Sequence, residues 1–85
     1  MSKQQKLIDK LKRRPRNFTF SEAESLLISL GFLKSNEGKT SGSRVKYTHG
    51  LGIVEIRLHR PHPQKELKSY QVSELLRQLE KEDLI

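Results

Sequence analysis

Two stretches with a two-residue period, SRVKYT at 43–48 and IVEIRL at 53–58, flank the tetrapeptide HGLG, and this arrangement narrows the fold more than any other feature. Apolar and polar residues alternate in both stretches, the pattern of strands with one covered face, and the glycines between them signal a hairpin. If His49 to Gly52 turns symmetrically, Thr48 faces Ile53, Lys46 faces Glu55, Val45 faces Ile56 and Arg44 faces Arg57. Ser43, Val45, Tyr47, Val54, Ile56 and Leu58 then share one face, while Arg44, Lys46, Thr48, Ile53, Glu55, Arg57 and His59 share the other. The first face is apolar and needs helices over it. The second is cationic and stays open, a reasonable platform for a phosphate backbone.

The rest of the chain supplies the cover. Lys3 to Arg13 forms a short helix that stops near Pro15, because proline disfavours helical geometry in the residue before it. In SEAESLLISLG, Ser21 and Glu24 have the spacing of a capping box. Ala23, Leu26, Leu27 and Leu30 make a helical stripe, and Gly31 supplies a left-handed C-terminal residue. Phe32-Leu33-Lys34 starts a strand, followed by the polar connection SNEGKTSGS. Val72, Leu75, Leu76 and Leu79 repeat the helical stripe, with Ser69 as N-cap. The expected fold is α+β, in the order α-α-β-β-β-α, with a three-stranded antiparallel sheet packed on helices.

Eighty-five residues with 33% apolar content make one small domain, burying roughly 60–65% of the surface of the unfolded chain. The longest uninterrupted apolar run is Leu26-Leu27-Ile28, too short for a membrane span, so the expectation is a soluble, cytoplasmic protein. With no cysteine there is no disulfide or thiol chemistry, and three histidines make a structural zinc site improbable. The net charge is +7, concentrated at the front: seven cations from Lys3 to Arg16 stand against Asp9 alone. This balance favours a polyanionic partner, of which nucleic acid is the commonest. A membrane surface is the weaker alternative, since the basic stretch Lys3 to Arg14 offers only Leu7, Ile8 and Leu11 and no aromatic anchor.

At the end of the second hairpin strand stands His59-Arg60-Pro61-His62-Pro63. Three readings compete for it: a metal site, an acid–base site for chemistry on a phosphodiester, and a plain strand exit. A metal site would need His49 from the far end of the hairpin, so no metal and no cofactor are expected. His62 lies between two prolines that hold the chain extended, and Lys65 and Lys68 carry positive charge toward the start of the last helix.

Gly42-Ser43 opening one strand, a second strand running into LHRPHPQKELK, and the amphipathic YQVSELLRQLEKEDLI together resemble the HicA family of bacterial mRNA-cleaving toxins. The resemblance runs from about Phe18 to Ile85, and residues 1–17 look like a basic helical extension. It implies a fold similar to double-stranded-RNA-binding domains, a ribonuclease that inhibits translation, and a cognate HicB-type antitoxin. The family's usual motif is Gly-Ser-His, with a catalytic histidine, whereas this chain reads Gly42-Ser43-Arg44. A guanidinium cannot act as a base at neutral pH, but it binds phosphate and stabilises transition-state charge.

On the symmetric register His59 is the diagonal neighbour of Arg44, about 7–8 Å away at Cα, so a phosphodiester held by Arg44 is within its reach. Imidazole titrates near neutrality and can move a proton, which makes His59 the candidate catalytic residue. The RNA-binding candidates are Ser43, Arg44, Lys46, Arg57, Arg60, His62, Lys65 and Lys68. Two alternatives stand beside this reading. One is an RNA-binding homologue without nuclease activity; the other is a regulatory module that binds a protein partner through its acidic last helix.

Overall fold

The computed structural model describes residues 3–36, 44–50, 54–59 and 65–85, with backbone only for Asn36 and Arg44. They form α1 (Lys3–Lys12), α2 (Phe20–Ser29), β1 (Leu33–Asn36), β2 (Arg44–His49), β3 (Val54–His59) and α3 (Ser69–Lys81). The strands make one antiparallel sheet in the order β1-β2-β3, so β1 and β3 are its edges. This is the α+β order expected from the sequence. β1 runs two residues further than expected, through Ser35 and Asn36.

The capping box of α2 is Thr19 and Glu22, not Ser21 and Glu24. The Thr19 hydroxyl accepts from the Glu22 N–H at 3.1 Å, and Glu22 Oε1 accepts from the Thr19 N–H at 3.0 Å. Both residue pairs have the right spacing, but only the Thr19 cap places apolar residues at both staple positions. Phe18 precedes the cap and Ala23 follows the box, and both are fully buried. With Ser21 as cap the second position would fall on Ser25. Glu24 instead leaves the helix for the sheet: its Oε2 accepts from the buried Tyr47 hydroxyl at 2.6 Å and lies 3.2 Å from Lys34 Nζ.

At the other end of α2, the Phe32 N–H reaches the Leu27 carbonyl and the Gly31 N–H reaches that of Ile28, with Leu27 and Phe32 both buried. These two bonds define a Schellman motif, and Gly31 takes the left-handed conformation it needs, φ +99°. A Cβ at Gly31 would also stand 3.3 Å from His49 Nε2, whose ring packs on Phe32 with centroids 5.0 Å apart.

The helix α1 belongs to the same core. Leu7 and Leu11 are buried in one cluster with Leu26, Leu27, Leu75 and Leu79, so the apolar stripe of the basic N-terminal segment is used up in packing. Lys10 of α1 reaches Glu22 of α2 at 2.7 Å and stands 5.9 Å from the centre of the Phe18 ring. Burial would raise the Glu22 carboxyl from its ordinary value of 4.5, but the Lys10 ammonium and the Thr19 N–H and hydroxyl together hold it below that value. A depressed carboxyl contributes its stability above about pH 4.5 and loses it as pH falls through the lower folded value. Glu22→Gln should therefore cost roughly 0.5–1 kcal/mol at pH 7, with the gap to the parent closing in acid. Denaturant titrations at neutral and acid pH check this; a gap that persists undiminished in acid overturns it.

The hairpin is offset by two residues from the symmetric register. The pairs are Arg44 with His59, Val45 with Leu58, Lys46 with Arg57, Tyr47 with Ile56, Thr48 with Glu55 and His49 with Val54. Gly50, at φ +63°, follows β2, and the four residues between the paired His49 and Val54 are 50–53 rather than the expected 49–52. Because side chains alternate with a period of two, an offset of two leaves every residue on its expected face. Val45, Tyr47, Ile56 and Leu58 are buried under the helices, and Val54 is partly buried.

Residues 65–67 return to pair with the linker before α2: the Phe20 N–H donates to the Lys65 carbonyl and the Leu67 N–H to that of Phe18. Leu67 is buried by this pairing, which holds the chain extended up to the start of α3. The N-cap position of α3 consequently falls on Lys68 rather than Ser69, and Gln71 Oε1 accepts from the Lys68 N–H at 3.4 Å. Val72, Leu75, Leu76 and Leu79 form the buried stripe as expected.

Candidate nucleic-acid interface

The open face of the sheet is arranged in rows across the strands. Leu33, Thr48 and Glu55 form one row and Ser35, Lys46 and Arg57 the next; Arg44 stands opposite His59 in the third. Directly opposed residues have Cβ atoms about 4.5–5.5 Å apart, closer than the diagonal relation expected for Arg44 and His59. Arg57 and His59 are exposed, and Lys46 is half-buried.

Two cations facing each other across a ladder repel, and Lys46 and Arg57 are so placed. Glu55 offsets part of this: its Oε2 accepts from Arg57 Nε at 2.7 Å. The Arg57 side chain is 56% exposed and that of Glu55 40%, so water screens the pair and a stronger anion can compete for Arg57. An incoming phosphate between Lys46 and Arg57 would be attracted by both cations. Lys65 and Lys68 are both exposed ahead of α3. Ser43, Arg60 and His62, also candidates from the sequence, lie outside the described residues, and Arg44 is placed here by its backbone register alone. His49 is in β2 at the opposite end from the Arg44–His59 pair, packed against Phe32.

Sequence reasoning missed a groove of about 210 Å³ along the outer edge of β3, where α3 packs beside it. Ile56, Leu58 and Leu75, all buried, form its floor; Arg57 and His59 line it from β3, and Tyr70, Gln71, Glu74 and Gln78 from α3. Tyr70, Glu74 and Gln78 are spaced by four, so they form one ridge of the helix beside the apolar stripe. That spacing is the signal from which the groove could have been found. Phe18, Phe32 and Tyr47 are core residues, whereas Tyr70 remains 64% exposed at the groove.

Among the described residues no three His, Cys, Asp or Glu side chains are grouped to hold a metal ion, and no helix is long and apolar enough to cross a membrane.

An α+β domain with one face of its sheet left open and polar is a class of architecture rather than a function, and comparison with known families narrows it. The family described as HicA toxin of bacterial toxin-antitoxin matches over residues 20–80, from the first residue of α2 to within one residue of the end of α3. The chain belongs to the HicA toxin family, which implies the toxin component of a toxin–antitoxin pair. No curated protein and no solved structure matches it. The helix α1 lies ahead of the matched segment.

Proposed function

We propose that this chain is an mRNA interferase, a ribonuclease that inhibits translation by cleaving messenger RNA and is neutralised by a HicB-type antitoxin. The observation that carries this reading is the row arrangement of the open face: an exposed histidine, His59, opposite Arg44 and one row from the Lys46–Arg57 pair. Arg44, Lys46 and Arg57 hold the scissile phosphodiester and the phosphates next to it along the strand. His59, in its neutral form, takes the proton of the 2′-hydroxyl as the 2′-oxygen attacks the adjacent phosphorus. The bond from phosphorus to the 5′-oxygen then breaks, and the imidazolium returns the proton to that oxygen. The cations stabilise the extra negative charge on the phosphoryl oxygens as the bonds exchange. Every proton is accounted for within the chain's own groups, and the products are a cyclic phosphate and a free 5′-hydroxyl.

A second reading is favoured by one observation, the arginine at the position where the family's motif has its histidine. In it the chain binds RNA through the same face without cutting. One experiment separates the two. Purified protein incubated with mRNA in EDTA should yield fragments if His59 performs the chemistry. Binding without fragments, with cleavage appearing on Arg44→His, would establish the second reading instead.

A further inference from the structure

The groove beside β3 has an apolar floor, a polar rim and one exposed aromatic ring, and the proposed cleavage chemistry uses only Arg57 and His59 on its β3 side. Its volume of about 210 Å³ is below the roughly 300–1,000 Å³ of pockets for drug-sized ligands, so it fits one planar group. The ridge of Tyr70, Glu74 and Gln78 faces this floor of Ile56, Leu58 and Leu75. Glu74 is the one acid among the described lining residues, and it disfavours a phosphate there; phosphates belong on the cationic side, with Arg57. A neutral ring with hydrogen-bonding edges meets no such penalty. Its face can lie against Tyr70 and the floor, and its edge can meet Glu74 and Gln78.

We infer that the groove between β3 and α3 holds one base of a single-stranded RNA, stacked on Tyr70, with a preference for bases that carry an exocyclic amino group. The inference rests on the proposed RNA reading of the open face, because Arg57 and His59 line both regions: a strand whose phosphate sits on the sheet can turn an adjacent base over the β3 edge into the groove. Stacking on an aromatic ring is tolerant of base identity, since every base has a π-face. Selectivity comes from the edge. The Glu74 carboxylate only accepts, so it pairs with the amino group of cytosine or adenine and meets repulsion from carbonyl oxygens of uracil. A base in this position would be placed next to His59, which gives the groove a role in choosing where the strand is cut.

The test uses 2′-O-methyl homopolymers of adenosine, cytidine and uridine, which have no 2′-hydroxyl to react and so report binding apart from cleavage. Oligo-A and oligo-C should bind more tightly than oligo-U. Tyr70→Ala should weaken binding of all three by roughly 5- to 150-fold, the range for a lost base–aromatic stack, while Tyr70→Phe retains it. Glu74→Gln should reduce the preference over oligo-U. Both side chains are exposed, so the variants should fold, and unchanged thermal melts would verify this. If Tyr70→Ala binds all three as tightly as the parent, with affinity still falling with salt, the base site is wrong and the phosphate platform stands. If no homopolymer binds at low salt, the RNA reading and the base site fail together. If Tyr70 and Glu74 respond to a partner protein and never to RNA, the groove is a protein-docking site and the inference is overturned.

Discussion

His59→Ala should reduce RNA cleavage by 10²- to 10⁴-fold and abolish growth inhibition, while leaving the domain folded. The magnitude is what removal of a positioned acid–base group costs. The exposed ring at the end of β3 contributes little to packing, and substitutions at such surface positions usually change stability by no more than about 0.5 kcal/mol. RNA affinity should change far less than rate, because Lys46, Arg57 and Arg44 remain. His49→Ala makes the contrast: it removes the ring against Phe32, so its effect should appear in thermal stability rather than in turnover. His62→Ala should also be milder than His59→Ala. Full cleavage and toxicity in all three single variants would rule out histidine chemistry in this protein.

The second large effect concerns salt. Three cations meeting three phosphates of a single strand give a slope of about −2 in log K against log salt, so affinity should fall roughly 15- to 20-fold between 50 and 200 mM. Fluorescence anisotropy with a labelled RNA at several salt concentrations measures the slope directly. A flat dependence would count against the sheet face as a phosphate platform. A slope near −5 would carry a different message: the cations of α1, which lie outside the segment matched to the family, would be contacting the strand as well.

Much of the fold could be read along the chain. The stripe of Val72, Leu75, Leu76 and Leu79 is buried as its spacing requires, and Gly31 adopts the left-handed conformation that ends α2. Both faces of the hairpin came out as alternation dictates, even though the register did not, because a two-residue offset preserves side-chain direction. The family resemblance, carried by local motifs from Phe18 onward, was likewise a property of consecutive residues.

The candidate site was legible only in its ingredients. His59, Lys46 and Arg57 could be assigned to one face from the strand period, but the row in which each sits depends on where the four-residue connection is centred, at 49–52 or at 50–53. A tetrapeptide with two glycines does not by itself fix on which residue the turn is centred.

Sequence by itself determined which residues face the core and which face outward, because helical and strand periodicities are set by backbone geometry within a few residues. Tertiary structure decided the rest. It chose Thr19 over Ser21 as the cap of α2 by burying Phe18 and Ala23, and it moved the cap of α3 to Lys68 by pairing residues 65–67 with 18–20. It put His59 directly opposite Arg44, and it set Tyr70, Glu74 and Gln78 beside the free edge of β3 to form a groove. Each of these outcomes turns on two segments distant in the chain meeting at a particular offset, and no local period encodes that offset.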